Sequence, residues 1–204
     1  MSALGRTVFQ KGFELILASA SPRRKDLLRM AGVDCIVRPS DLEEVRAQGE
    51  SARDYVGRLS IEKAAAQKAE AHQGILAADT TVVVLDGTNE IVLEKPDDAR
   101  HAQEMLRLLA GRAHSVFTGV CFQYGERRFH CVEETRVHFA PMTEAEIASY
   151  VASGEAFGKA GAYAIQGQAS RYIERVEGCY FNVVGLPVHR SFALFGAAGV
   201  LAKA

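Results

Sequence analysis

The stretch Leu15–Leu28, LILASASPRRKDLL, decides how the fold begins. Its apolar start predicts a strand, while Ser21 suits a helix N-cap and Pro22 suits the first helical position. Arg23 and Arg24 then crowd a helix N-terminus, where each extra cation costs roughly 0.3 to 1 kcal/mol. Free backbone N–H groups and two arginines together suit a phosphate or carboxylate. We therefore expect an anion site here, with a solvated basic turn as the alternative.

The composition is that of an ordinary globular protein. The chain has 204 residues, 48% of them hydrophobic, and a formal net charge of -1, which is enough apolar material for a full core. Nucleic-acid binding through bulk charge is excluded because such domains carry a basic excess. No apolar run approaches the roughly 20 residues of a membrane span, and Met1 to Phe13 lacks the apolar core of a signal peptide. We expect a cytoplasmic protein without membrane or nucleic-acid partners.

The cysteines and histidines give no sign of a zinc centre. The four cysteines include no CxxC pair and the six histidines no HExxH spacing, although structural zinc sites usually show such ligand spacing. Each cysteine lies in or beside an apolar stretch, which predicts that they pack as small buried hydrophobic residues.

The rest of the chain predicts hairpins mixed with helices. Paired apolar runs around turn residues indicate two hairpins, namely Ile75–Leu85 with Ile91–Leu93 around Asp86–Asn89, and Val116–Tyr124 with Phe129–Phe139 around Gly125. Further helices are predicted from Ser51 to about Glu70, from Pro96 to Gly111, from Thr143 to Gly154 and after Pro187. Short strands are predicted at Cys35–Val37 and Tyr172–Val176, within an otherwise irregular stretch from Lys159 to Gly185. This mixture predicts an α/β (mixed α+β) fold with a largely mixed, twisted sheet and flanking helices.

Two charged residues occupy positions that should be packed. Lys63 falls inside the apolar arc of its predicted helix, so it either snorkels to the edge or has an anionic partner. Asp79 interrupts an apolar interior strand, and burial alone would raise the pKa of such a carboxyl group. Asp79 must therefore pair with a cation, bind a metal or act as a base, a salt bridge with Lys63 or Lys95 being the structural alternative.

The first hairpin predicts where these charges meet. A turn at 86–89 places Glu90 opposite Leu85 and Lys95 opposite Thr80, within about one residue of register. Asp79, Thr80 and Lys95 are then expected to form one cluster. Glu43 and Glu44, in the acidic run Asp41–Glu44, offer carboxylates of the kind that Mg²⁺ prefers, with a solvated acidic turn as the alternative.

Seven sequence blocks resemble a known family. They are Leu17–Arg24, Arg58–Ala64, Ala78–Val83, Glu94–Pro96, Gly111–Gly119, Lys159–Gly167 and Val184–Pro187. As an ordered set they resemble the Maf family, described as septum-formation inhibitors and as nucleotide pyrophosphatases. The resemblance implies one Maf-like domain over residues 1–204, with two lobes around a deep cleft in a fold shared distantly with inosine triphosphate pyrophosphatases. It also implies a divalent metal and a homodimer.

Within the family, the chain is similar to the branch that acts on dTTP and UTP. The Ser21-to-Arg24 motif, Asp79-Thr80 and Ile165–Gly167 match that branch. The branch acting on 7-methyl-GTP usually has a tryptophan beside the arginines, Asp-Gln in place of Asp79-Thr80 and glutamate in place of Gln166. Glu94 and Ser60 depart from the glycine and alanine common in the family. The implied reaction releases the monophosphate and pyrophosphate, in a house-cleaning or division-arrest role; modified pyrimidine nucleotides stay open as substrates.

Roles for individual residues follow partly from the resemblance and partly from their chemistry. The resemblance makes Asp79 the proton acceptor and links Arg23, Thr80 and Gln166 to base selectivity. Our hypothesis adds that Glu44 and Asp79 hold Mg²⁺, with Mn²⁺ or Co²⁺ as alternatives. The residues expected to bind the triphosphate are Ser19, Ser21, Arg23, Arg24, Lys63 and Lys95. For Gln166, the alternative is an amide that only stabilises its loop. For the whole chain, the alternative is a non-catalytic nucleotide sensor that regulates septum formation.

Overall fold

A computed structural model describes residues 8–203. Its strands are β1 (Glu14–Leu17), β2 (Ile36–Val37), β3 (Gln73–Asp86), β4 (Asn89–Leu93), β5 (Ala113–Tyr124), β6 (Arg127–Phe139) and β7 (Ile173–Glu177). Its helices are α1 (Pro22–Met30), α2 (Ala52–Ala65), α3 (Ala99–Leu109), α4 (Glu144–Ala152), α5 (Tyr180–Val184) and α6 (Val188–Ala198), with single 3₁₀ turns at Ala160–Ala162 and Gln168–Tyr172.

The strands form one mixed sheet in the order β2-β1-β3-β5-β6-β7, with β4 paired to β3. β1 runs parallel to β2 and β3, and the other pairs are antiparallel. The predicted mixed α/β class is therefore confirmed, as are both hairpins. Leu85 pairs with Glu90 as predicted. The division into two lobes and a single domain stays a prediction.

One edge of β3 is divided between two partner strands. β1 pairs with Gln73–Leu76 at one end, and β4 pairs with Val82–Asp86 at the other. The opposite edge pairs continuously with β5 from Gly74 to Val83. Residues 77–81 therefore lie in a gap between β1 and β4, and Asp79 lies at the middle of that gap.

Helices cover both faces of the sheet. Alternate β3 side chains point to opposite faces, so Ile75 and Ala77 pack with Ala64 of α2, while Leu76 and Ala78 join the larger core on the other side. α2 lies unusually close to β5 at Gly119, where an added Cβ would come within 2.1 Å of the Val56 carbonyl oxygen. Gly119 pairs with Asp79 in the ladder, so this close approach brings α2 down onto the gap.

Two local predictions need correction and a third is confirmed. α2 ends at Ala65 rather than near Glu70, because a turn closed by Glu70 N–H donating to Gln73 Oε1 (3.0 Å) redirects the chain into β3. α5 lies in a stretch predicted to be irregular; its five residues are too few to show a helical period. Ser21 is the N-cap residue as predicted, although among the described residues its side chain makes no capping hydrogen bond.

The remaining sequence predictions have mixed outcomes. All four cysteines are free, and Cys121 is buried as predicted, while the other three are partly exposed. None of the helices within residues 8–203 has the length and apolar character that a membrane crossing requires. The prediction about a signal segment in Met1 to Phe13 rests largely on residues 1–7, which lie outside the described residues.

Candidate functional site

The gap beside β3 opens into a cavity of about 480 Å³. Its wall contains all ten residues to which the sequence analysis gave roles in the site, namely Ser19, Ser21, Arg23, Arg24, Glu44, Lys63, Asp79, Thr80, Lys95 and Gln166, but not Glu43. They arrive from separate segments: the β1–α1 loop, the first turn of α1, the segment before α2, α2 itself, β3, the residues after β4 and the loop before β7. The structure thus brings the predicted site residues together, while their individual roles stay predictions.

Lys63 joins the two predicted metal-binding carboxylates. Its Nζ lies 2.7 Å from Glu44 Oε1 and 2.5 Å from Asp79 Oδ1. The Lys63 and Asp79 side chains are each 8% exposed, whereas Glu44 is 39% exposed. Lys63 is therefore a buried ion-pair partner rather than a snorkelling residue, and the pairing of Asp79 with a cation is confirmed.

Glu44 is held in its ionised form by this arrangement. Burial opposes ionisation of its carboxyl group, but the hydrogen bond from Lys63 and the charges of Lys63, Lys95 and Arg24 outweigh it and lower the pKa of Glu44. A carboxylate at this position is accordingly available as an acceptor for cations near neutral pH.

Arg24 is anchored by three separate parts of the fold. Its Nε donates to the Gly185 carbonyl (2.8 Å), Nη1 to Ser19 Oγ (2.9 Å) and Nη2 to Thr80 Oγ1 (3.1 Å). Burial lowers the pKa of the Arg24 guanidinium, an effect that nearby Asp79 opposes. A guanidinium has five N–H donors and keeps its charge, so the fixed group retains donors for an anion in the cavity.

Thr80 is engaged with protein groups at the same point. Besides accepting from Arg24, its Oγ1 lies 2.9 Å from Thr118 Oγ1 and 3.5 Å from the Gly185 carbonyl oxygen. Its side chain points to the face of β3 opposite Asp79, since neighbouring residues in a strand alternate. Thr80 therefore helps to hold the Arg24 guanidinium at the cavity.

Lys95 and Arg23 complete the cationic lining. The register between β3 and β4 is the predicted one, with Leu85 opposite Glu90 and Val82 opposite Leu93, but the ladder ends at that last pair, two residues before Lys95. The chain turns away at Pro96, which begins the approach to α3, and Lys95 still lines the cavity. Arg23 is half-buried, and burial lowers its pKa.

Glu44 lies on a segment, residues 38–50, that forms neither helix nor strand and is fastened to α2. Arg58 of α2 donates from Nε to Glu50 Oε1 (2.7 Å) and from Nη2 to Glu50 Oε2 (2.8 Å) and the Val45 carbonyl (3.0 Å). These bonds lower the pKa of Glu50 to about 2. α2 therefore positions both Lys63 and, through this segment, its partner Glu44.

The sequence did not assign roles to three further lining residues. Tyr55 donates from its hydroxyl to Glu94 Oε1 (2.9 Å) and lies 3.2 Å from the Glu44 carbonyl oxygen; burial and then Glu94 raise its pKa. From the sequence alone, Tyr55 could not be distinguished from the core residues that share the apolar face of α2. Glu94 and Lys159 lie in sequence blocks that resemble the known family, and this resemblance was the sequence observation that could have pointed to them.

Gln166 is exposed and lies in a loop beside apolar residues of the cavity wall. The cavity wall near it in sequence includes Tyr163 and Ile165, and Val82 and Val183 also contribute. The clustered cations suit an elongated polyanion. The adjoining apolar wall with its one amide suits a flat, partly apolar group on the same ligand.

A divalent cation fits the carboxylates present. Within residues 8–203, no group of three His, Cys, Asp or Glu residues could hold a metal ion. Glu44 and Asp79 nevertheless face one ammonium group from two sides. Mg²⁺ is typically bound by one or two carboxylates together with substrate phosphates, so this pair fits a metal that a polyphosphate accompanies.

Comparison with known proteins identifies the family. The Maf-like protein family profile matches residues 14–198. The chain belongs to the Maf family. Three proteins named dTTP/UTP pyrophosphatase are similar to this Maf chain. The one from Koribacter versatilis is 44% identical, covering 95% of this chain and 98% of the relative. That from Anaeromyxobacter sp. is 48% identical over 92% and 90%, and that from Shigella dysenteriae is 45% identical over 88% and 90%.

Two solved structures align with part of the Maf chain. A nucleoside-triphosphatase, dITP/XTP pyrophosphatase, from Mycobacterium abscessus aligns at 18% identity and a TM-score of 0.39, covering 64% of this chain and 76% of that one. The Ham1 protein of Staphylococcus aureus aligns at 16% identity and a TM-score of 0.44, covering 62% and 72%. The family assignment rests on the sequence matches.

Proposed function

We propose that this chain hydrolyses dTTP and UTP to the nucleoside monophosphate and pyrophosphate. Relatives of that name are similar to it over nearly their whole length. The observation that carries the proposal is the buried Lys63 ammonium between Glu44 and Asp79, in a cavity that Arg23 and Arg24 also line. Such a site offers charge neutralisation and a carboxylate acceptor, which hydrolysis of a triphosphate requires.

The cations bind the triphosphate. Arg24 is fixed by three hydrogen bonds, so little reorganisation is needed when a phosphate oxygen arrives. Arg23 and Lys95 add positive charge at the cavity wall, and Lys63 lies between the carboxylates. Together they stabilise the negative charge that develops on the bridging oxygen as it leaves.

Asp79 accepts the proton in the proposed reaction. A water oxygen forms a bond to the α-phosphorus while the bond from that phosphorus to the α–β bridging oxygen breaks, and pyrophosphate leaves. The water proton passes to an Asp79 carboxylate oxygen. The ion pair with Lys63 keeps the side chain in place.

Glu44 and Asp79 are the residues that would hold a divalent metal, Mg²⁺ being the proposed one. When bound, the metal would supply further neutralisation of phosphate charge. We also propose a homodimer in the cytoplasm, on the strength of the family resemblance alone.

Gln166 selects the base in this proposal. Its amide offers one donor group and one acceptor oxygen, which complements the edge of thymine or uracil. The apolar residues beside it, Tyr163 and Ile165, would contact the ring faces. Arg23 contributes to the same choice.

Pyrophosphate release from a panel of common and modified triphosphates tests the proposal. Release from dTTP and UTP in Mg²⁺, its loss in excess chelator, and a fall of about 100-fold or more in Asp79→Asn are expected. Asp79→Asn preserves the shape of the side chain but cannot take the proton. Turnover of dTTP by Asp79→Asn near that of the unmodified chain would refute the base assignment, and tight nucleotide binding with no pyrophosphate release would favour the sensor alternative.

A further inference from the structure

The loop that carries Gln166 is held from outside the cavity by Tyr150 of α4 and by Glu155, which follows that helix. We call these two side chains the Tyr150–Glu155 clamp. Tyr150 is fully buried and Glu155 is half-buried. Neither residue lines the cavity described above.

The clamp contacts the loop on both sides of Gln166. The Tyr150 hydroxyl donates to Glu155 Oε1 (2.9 Å) and accepts from the Ala164 N–H (3.2 Å). Glu155 Oε2 accepts from the Gln168 N–H (3.0 Å). One hydrogen-bonded pair thus fixes the residues two before and two after Gln166.

Glycine at position 167 makes this contact feasible. A Cβ placed on Gly167 would lie 2.2 Å from both carboxylate oxygens of Glu155, so the carboxylate rests directly on the backbone beside Gln166. The same glutamate is tied to the cavity wall, since Lys159 Nζ donates to the Glu155 carbonyl (2.6 Å). Burial raises the pKa of Tyr150, so its hydroxyl keeps the proton that it donates.

We propose that Tyr150 and Glu155 are positioning residues for base selection. An exposed amide on a loop discriminates between bases only if its backbone is preorganised, because a mobile loop pays an entropic cost on binding and adapts to the wrong base. The clamp supplies that order without touching the nucleotide. This inference rests on the proposed function, specifically on recognition of the base by Gln166.

The test uses Tyr150→Phe and Glu155→Gln in the full chain. Tyr150→Phe removes the acceptor of the Ala164 N–H, and Glu155→Gln leaves one acceptor oxygen where Tyr150 and Gln168 together require two. KM for dTTP and UTP should therefore rise about threefold to tenfold. The kcat should stay within about twofold, because the lost interaction is equal in ground and transition states. The ratio of kcat/KM for dTTP and UTP to that for ATP and GTP should fall by a similar factor, and amide exchange at Ala164 and Gln168 should accelerate.

Glu146→Gln is the matched control. Glu146 caps the first turn of the same helix, accepting from the Thr143 N–H (2.8 Å). It also faces Tyr172 at the far end of the second 3₁₀ turn, so its substitution weakens α4 without removing a hydrogen bond to Ala164 or Gln168. The ratio of kcat/KM for dTTP and UTP to that for ATP and GTP should stay unchanged in Glu146→Gln. A fall in this ratio equal to that in the clamp variants would overturn the inference, as would clamp variants with unchanged KM and an unchanged ratio.

Failure of the underlying function has a different signature. If Gln166→Ala leaves KM and base selectivity unchanged, the base contact is misassigned and the clamp proposal falls with it. If Gln166→Ala weakens selectivity while both clamp variants match the unmodified chain, only the clamp proposal falls. Absence of pyrophosphate release from the unmodified chain would reject the function itself.

Discussion

Asp79 and Thr80 are adjacent in the chain, yet they serve the site from opposite faces of β3. Asp79 points toward α2 and pairs with Lys63, whereas Thr80 points the other way and bonds to Arg24. One Asp-Thr dipeptide therefore fixes two cations that approach from separate helices. The site depends at this scale on side chains whose partners are also charged or polar and largely buried.

Replacing Lys63 by methionine should lower both stability and activity. Lys63→Met leaves the 8%-exposed Asp79 carboxylate without its partner, and breaking a buried ion pair in this way costs about 3 to 5 kcal/mol. The free energy of unfolding, measured in urea, checks the stability term. Lys95→Met is the matched control, since Lys95 is exposed and its loss should change stability by about 0.5 kcal/mol or less. Equal stability of the two variants would contradict the buried-pair interpretation.

Replacing Thr80 by valine should weaken activity on every substrate to a similar degree. Thr80→Val keeps the shape but removes the hydroxyl that accepts from Arg24, at a cost of about threefold to tenfold in kcat/KM. Thr80→Ser retains the hydroxyl and should stay close to the unmodified enzyme. Measured kcat/KM for dTTP, UTP and a purine triphosphate decides the matter. A loss confined to one base would instead support a direct contact between Thr80 and the base.

The irregular segment before α2 behaves as a structural element although it has no helix or strand. Residues 38–50 are held by Arg58, and they carry the Glu44 carboxylate to Lys63. Leu42 packs the segment against buried residues of α2, and the charge-assisted hydrogen bonds of Arg58 fasten its end. The stability of the segment should therefore depend in part on the protonation of Glu50.

Glu50→Gln should cost stability at neutral pH and little in acid. Arg58 lowers the pKa of Glu50 to about 2 from an ordinary value of 4.5. A depressed folded-state pKa contributes stability that is complete above the ordinary value and disappears as the pH falls toward 2. The variant should lose about 1 to 3 kcal/mol at pH 7, and the difference should shrink below pH 4.5.

Urea denaturation at several pH values measures this convergence. Gln48→Ala, an exposed neutral position in the same segment, should change stability by about 0.5 kcal/mol or less at every pH. A stability loss in Glu50→Gln that is the same at pH 3 and pH 7 would rule out Glu50 ionisation as the cause.

Across the whole molecule, the sequence was most informative where turn chemistry and apolar alternation coincide. Both hairpins and the gathering of ten site residues followed from local patterns and a family resemblance. The register of β4 against β3 was also predicted, but the end of that ladder two residues before Lys95 was not, because Pro96 redirects the chain there. The Tyr55 contact with Glu94 and the Tyr150–Glu155 clamp were not predicted either. In the sequence, each of these residues is typical of an ordinary buried or exposed position. Only tertiary structure reveals such pairs.

Folding fidelity in this chain depends on the alternation along β3. A slip of β3 by one residue against β5 would exchange the faces of neighbouring side chains. In one direction the slip would put the Asp79 carboxylate in the place of Thr80, beside Arg24, and move Thr80 to the place of Thr81, so Lys63 would lose its partner on β3. Backbone hydrogen bonds would re-form in the shifted pairing, so circular dichroism would report a folded protein. The fraction of active molecules in a preparation can therefore fall while its secondary-structure content stays normal. Active-site titration, rather than circular dichroism, measures the quality of such a preparation.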